Sequence, residues 1–399
     1  MKKSYLMIAA VALFTACSET DTFKDAVSDN AQQPLSFSAF AGKNTKAKGE
    51  NTANLQDFYD VFSVYGFKSV KRTENNQDVV KKETVFGNVP VEYFATDDNG
   101  NTVYTSELPS SEWVRPNATF TAGWYYENVR FWDKMAESYE FFAVAPYVAS
   151  GEYAVESGDD NVKIKTAASP YVISTEKNLA IVNGVPKSQN LSYCGFERDY
   201  MVASKIEKTK ANNALTGEVD LEFKHILAKL NIKIKLGDSY IGSQELVVNE
   251  LKVNGLYEEG YYEGNTDLSG WNVDPTKKYA RDINADYSLT DATTNYSEYY
   301  WLETLMFPQT ATCKVKGIQP TATGMDDMYL YINYHIGTEN YEAYYDFAAI
   351  WKANAEVNDT FSFAQGNEYN LTITVGPEPI QFDASVAAWD TTNNQAISM

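Results

Sequence analysis

Strict two-residue alternation recurs along this chain and limits its fold more than any other feature. In VDLEFKH, Val219, Leu221 and Phe223 share one parity, while Asp220, Glu222 and Lys224 take the other. LNIKIKL sets Leu230, Ile232, Ile234 and Leu236 against Asn231, Lys233 and Lys235. MYLYINYHI (328–336) and NEYNLTITV (367–375) follow the same rule. Strand side chains point alternately to opposite faces, so each run predicts a strand with one face on a core. Convincing amphipathic helices are absent. Between VDLEFKH and LNIKIKL the phase slips at Ile226–Lys229. A one-residue slip would reverse every side chain, so a bulge or turn is expected in the gap.

Other segments fit the same class. LSFSAF alternates through Leu35, Phe37 and Ala39, and predicts a strand. DVFSVYGFK (60–68) and SYEFFAVAPY (138–147) are apolar on both parities, as strands buried on both faces are. DYMVAS (199–204) and IQFDASVAAW (380–389) complete the main candidates. GKNTKAKGENT (42–52) has no apolar anchor and reads as an exposed loop, open to proteolysis. The polar stretch KIEKTKANNALTGE (205–218) reads as a linker. The expected fold is all-β, with two β-sandwich domains in tandem at 35–204 and 219–399.

The N-terminus points out of the cytoplasm. Two lysines precede an apolar run, Tyr5–Phe14, far short of the roughly 20 residues of a spanning helix. This is the layout of a signal peptide over residues 1–16. Thr15 and Ala16 then lead into Cys17, an arrangement resembling the lipobox of bacterial lipoproteins, in which the cysteine is acylated. Residues 17–34 read as a lipidated acidic tether. The Ser-Glu-Thr-Asp after Cys17 suits a surface-export tag or a solvated linker equally. With 54 acidic and 33 basic residues, net −21, the chain disfavours nucleic acid and anionic lipid. Cys194 and Cys313 are expected as buried thiols rather than a disulfide.

Catalytic signatures are scarce. The chain has two histidines, His225 and His335, each inside a strand pattern, so a site built on several histidines is ruled out. Nucleophile-elbow, phosphate-loop, dinucleotide-binding, Cys-x-x-Cys and calcium-loop motifs do not occur. No cofactor, metal or catalytic residue is expected, although a glycoside-cleaving carboxylate pair remains open among so many acids. The aromatic clusters WYYENVRFW (124–132) and YYEGNTDLSGW (261–271) suit core packing. Their Trp124, Trp132 and Trp271 would alternatively form a glycan-stacking platform.

In order along the chain, several stretches resemble the fimbrillin family, the subunits of type V pili of anaerobic Gram-negative bacteria. They are the lipoprotein start, SFSAF followed by TKA (45–47), FSVYGFK, WYYENVRFW with YEFFAVAPY, DYMVAS, VDLEFKHILAKLNIKI, FPQ (307–309), and GNEYNLTITV with IQFDASVAAW. The resemblance implies two transthyretin-like sandwiches and a non-enzymatic, surface-displayed pilus or adhesion subunit. It implies export as an outer-membrane lipoprotein, then a trypsin-like cut beyond the first strand, here after Lys46, or after Lys43 or Lys48. The strand carrying Leu35, Phe37 and Ala39 would leave, and a strand from the C-terminal region of a neighbouring subunit, here Ile380, Phe382 and Val386, would take its place. The implied partners are other pilus subunits, the outer membrane through the lipid, and a host or bacterial surface ligand. The alternatives are a glycan-binding surface lipoprotein, or an anchor or tip subunit.

Overall fold

The structure, a computed structural model, describes residues 33–41, 53–55, 59–96, 102–104, 123–149, 151–156, 159, 162–167, 171–172, 177–182, 185–189, 193–194, 199–212, 214–237, 246–257, 260–264, 270–276, 278–289, 299–321, 328–375, 379–389 and 397–398. It is all-β, as the alternation predicts. The one α-helix described, Phe347–Trp351 (α1), is a single buried turn capped by Asp346.

The N-terminal half is organised by a nine-stranded sheet. Its main strands are Ser36–Ala41 (β1), Val61–Glu74 (β2), Gln77–Thr96 (β3), Gly123–Tyr125 (β4), Ala136–Ala145 (β5), Met201–Thr209 (β6) and Glu218–His225 (β7). They run in the order β1-β7-β6-β5-β2-β3, with β4 on the outer side of β3. Strands β2 and β3 form a long hairpin whose two-residue turn, Asn75-Asn76, has positive φ at both positions, as a tight hairpin turn requires. Phe62, Val64, Phe86, Phe141, Ala143, Met201 and Phe223 share one core with β1. The opposite face of β2, β5 and β6 is also apolar, through Tyr65, Phe67, Phe142, Val144 and Val202. This explains the double-parity runs at 60–68 and 138–147.

The expected linker at 205–218 is not one. Ile206–Thr209 continue β6 and pair with Ser138–Phe141, and VDLEFKH belongs to the N-terminal sheet beside β1. The polar composition reflects an exposed strand end and hairpin rather than a hinge. The chain instead changes sheets at Ile226–Leu227, where the alternation slips.

Beyond that step lie Ala228–Leu236 (β8), Leu246–Tyr257 (β9), Lys278–Leu289 (β10), Tyr299–Met306 (β11), Tyr329–Ile336 (β12), Glu339–Asp346 (β13), Asn367–Val375 (β14) and Gln381–Ala388 (β15). One five-stranded sheet runs β11-β8-β14-β15 and ends at Ile397–Ser398; the other runs β10-β9-β12-β13 and ends at Pro320–Thr321. The two face each other across Leu230, Ile232, Ile234, Leu251, Val253, Leu330, Ile332, Leu371 and Ile373.

A third core joins the halves. Phe142, Val144 and Val202 pack with Ile226, Leu227, Tyr262, Trp271 and Phe307. A small four-stranded sheet pairs Lys163–Ala167 from the first half with Gly260–Tyr262 from the second. Hydrogen bonds tie the step itself: Trp271 Nε1–H donates to Ile226 O at 2.6 Å, and Gly366 N–H donates to Leu227 O at 2.8 Å.

Candidate functional site: the seat of the first strand

Strand β1 forms because its even and odd positions separate cleanly. Leu35, Phe37, Ala39 and Ala41 are at most 3% exposed, while Ser36, Ser38 and Phe40 lie half-buried on the other side. The strand runs parallel to β7, with Phe37 opposite Val219, Ala39 opposite Leu221 and Ala41 opposite Phe223. On its other edge, among the described residues, Phe40 and Ala41 pair with Ala53–Asn54.

The entry to β1 is clamped by a segment distant in sequence. Leu35 N–H donates to Arg130 O at 2.8 Å, Trp132 N–H donates to Gln33 O at 3.0 Å, and the Tyr126 hydroxyl donates to Leu35 O at 2.8 Å. Phe37 meets Phe86, Tyr126 and Phe141 edge-on, at centroid distances of 5.3, 5.7 and 5.9 Å. The Arg130 guanidinium lies 4.6 Å from the centre of the Phe86 ring and closes the cluster from above. Burial pushes the Tyr126 hydroxyl up and pulls the Arg130 guanidinium down from their ordinary values. Neither Tyr126 nor Arg130 is legible as a clamp in the sequence, because the partners they hold lie about 90 residues away.

The other expected site residues are scattered. Cys17, Lys43, Lys46 and Lys48 lie outside the described residues. Ile380, Phe382 and Val386 flank or lie in β15, which pairs with β14 in register, Phe382 opposite Ile373 and Val386 opposite Tyr369. All three pack half-buried on the C-terminal core. Among the described residues, the outer edge of β15 is paired at Ser385–Val386, by Ile397–Ser398.

The tryptophans do not form a platform. Trp132 is 4% exposed, packs on Tyr139 and Phe141, and donates its indole N–H to Gly217 O. Trp271 is 6% exposed within the joint, and Trp124 packs on Phe62 and Tyr93. The rings of Trp132 and Trp271 fill cores that the sheets create, so the stacking reading of these two is corrected to core packing, while Trp124 lies half-buried against the N-terminal core.

His225 is buried, with Nδ1 2.6 Å from Asp199 Oδ2 and its ring stacked 3.9 Å from Trp389. His335 Nδ1 is 3.1 Å from Asn249 Oδ1. Cys313 is a free, buried thiol donating to Val315 O, as expected. Among the described residues no group of three or more His, Cys, Asp or Glu is placed to hold a metal. No described helix is long and apolar enough to cross a membrane.

A family model described as fimbrillin-like matches residues 45–389. The chain belongs to the fimbrillin-like family. Membership of that family supports a pilus or adhesin subunit. Among solved structures it is similar to a fimbrial protein from Bacteroides vulgatus, with 15% identity, 90% of this chain and 99% of that chain covered, and a TM-score of 0.46. It is also similar to the tip fimbrial protein Mfa3 from Porphyromonas gingivalis, with 11% identity, 90% and 100% covered, and a TM-score of 0.37. No curated protein matches the chain in sequence.

Proposed function

We propose that this fimbrillin-like chain is a non-enzymatic, surface-displayed pilus subunit that assembles by exchange of its first strand. The observation that carries the reading is the seat of β1. Its outer edge pairs with a strand of two residues, its alternate side chains are buried, and the lysine-bearing stretch 42–52 follows it in sequence. Removing it would uncover a strand-wide slot lined by Phe86, Phe141 and Phe223, with the edge of β7 ready to pair. An apolar slot beside an open strand edge is what strand addition fills. In this reading Cys17 carries the lipid that tethers the precursor to the outer membrane, and cleavage after Lys46, Lys43 or Lys48 releases it.

The incoming strand would come from the C-terminal region of another copy or of a related subunit. In this reading strand β15 donates by leaving β14 together with residues 390–399, which follow it in sequence. The test is the mass and N-terminus of material recovered from the cell surface. Polymers whose chains begin between Asn44 and Gly49 are expected. Monomers that still begin at acylated Cys17 would overturn strand exchange and leave an anchor subunit. Replacing Lys43, Lys46 and Lys48 together with Gln should abolish the polymer.

A further inference from the structure

The outer face of the β9-β12-β13 sheet carries an arrangement that neither the fold nor strand exchange uses. In a one-sided sheet the outward positions are ordinarily polar and singly solvated. Here Tyr329, Tyr331 and Tyr344 converge on that face. Tyr344 sits opposite Tyr331 in register, and its ring is 4.7 Å from that of Tyr331 and 5.7 Å from that of Tyr329. Tyr329 and Tyr344 are partly exposed, while Tyr331 forms the floor at 9% exposure. The Tyr329 and Tyr344 planes meet at 62°, which makes a shallow aromatic notch rather than a closed stack.

A second row lies two residues along the strands, about 7 Å away. There Asn333 stands between Glu250 on β9 and Glu342 on β13. Glu342 and Asn333 each lie two residues along the strand from Tyr344 and Tyr331, on the same face. Lys252 Nζ pairs with Glu250 at 2.9 Å and lies 5.7 Å from the centre of the Tyr331 ring. Aromatic faces therefore lie beside carboxylate and amide groups, at a spacing that one sugar ring bridges.

We propose that this notch is a binding subsite for a neutral glycan. The apolar C–H face of a pyranose would rest on Tyr344 and Tyr329, and Glu342 and Asn333 would accept and donate hydrogen bonds to its hydroxyls. The charge selects the class of sugar. Two carboxylates face one lysine that is already ion-paired, so the local field repels sialylated, uronate and sulfated sugars. The inference goes beyond strand exchange and does not depend on it, because the face lies in the C-terminal half and β1 in the N-terminal half.

The test is calorimetric titration of the full chain with lactose, N-acetyllactosamine, maltotriose, mannotriose and sialyllactose. At least one neutral sugar should bind, with sialyllactose weaker than lactose. Tyr344→Ala should weaken binding about tenfold, and Tyr344→Phe should change it by less than about threefold. Glu342→Gln should weaken the neutral sugar and narrow the gap to sialyllactose. Tyr329→Ala serves as a second truncation should Tyr344→Ala fail to fold. No binding of any neutral sugar at about 10 mM would overturn the proposal. So would unchanged affinity in a truncation variant with wild-type melting temperature. A third overturning result is a sugar-independent dimer that Tyr344→Ala converts to monomer, since the face would then be a contact between copies.

Discussion

Gly66 controls how closely the aromatic cluster under the first strand can pack. A Cβ built there would lie 2.9 Å from Phe86 Cδ2 and 3.2 Å from Phe141 Cδ1, and these two rings support Phe37. Gly66→Ala should therefore cost about 1–3 kcal/mol in chemical denaturation, the range for overpacking a dense core. It should also speed hydrogen exchange in β1, because the displaced rings press on Phe37. Asp133 gives a residue-scale prediction with a pH signature. Burial raises its carboxyl, but this is outweighed by hydrogen bonds from Lys68 and from the Met135 amide and by the Lys68 charge, which hold it below the ordinary carboxylate range. A depressed folded value means the stabilisation is fully present above the unfolded pKa of about 3.9, and is lost as pH falls through the folded value. Asp133→Asn should cost about 1 kcal/mol at pH 7. The gap to wild type should narrow as pH falls below the ordinary carboxylate range, and urea melts across that range would show it. Neither residue announces its role in the sequence. Gly66 sits in an ordinary strand run, and Asp133 follows a tryptophan that looked like a ligand platform. Aromatic residues look alike in sequence whether they fill a core or face a sugar, and only burial separates Trp132 and Trp271 from Tyr344.

At the scale of elements, strands with one buried face were legible. NEYNLTITV forms β14 over the same residues, 367–375, and LSFSAF delivers β1 with the expected parity. The period of two carries that information locally. What it cannot carry is partner choice, so the parallel pairing of β1 with β7 and its clamp by Arg130 came only from the structure. The misread linker has the same origin, since the exposed end of β6 is as polar as a hinge. The seat of β1 supports a third prediction. After limited trypsin digestion within 42–52, the fragment bearing β1 should co-elute with the rest of the wild-type chain, held by buried Leu35, Phe37, Ala39 and Ala41. Phe37→Ala removes the largest anchor and should cost about 3–5 kcal/mol. The nicked variant should release its fragment at a lower urea concentration, and its emptied slot should then bind a synthetic SFSAFA peptide. Equal release from both chains would show that Phe37 does not hold the strand.

At the scale of the whole molecule, the phase slip at Ile226–Lys229 has a larger meaning than a bulge. It marks the step from one sheet system to the other, and Ile226 and Leu227 are buried at the joint together with Tyr200, Trp271 and Phe307. Trp271 is central, since it meets Tyr262 and Phe307 at centroid distances of 5.2 and 5.0 Å and bonds to the Ile226 carbonyl. A joint with its own apolar core resists opening better than a polar hinge would. The two halves should therefore unfold together in one calorimetric transition with matching van't Hoff and calorimetric enthalpies. Trp271→Ala removes about 3–5 kcal/mol of packing from the joint while leaving the cores on either side intact. It should split the transition in two, with the less stable half melting first. A chain cut at 205–218 should fail for a related reason, since the break would take β7 from the edge of β6 and strip the seat from β1. If the wild type already melts in two independent steps, or if residues 219–399 fold alone as stably as in the full chain, the joint does not couple the halves.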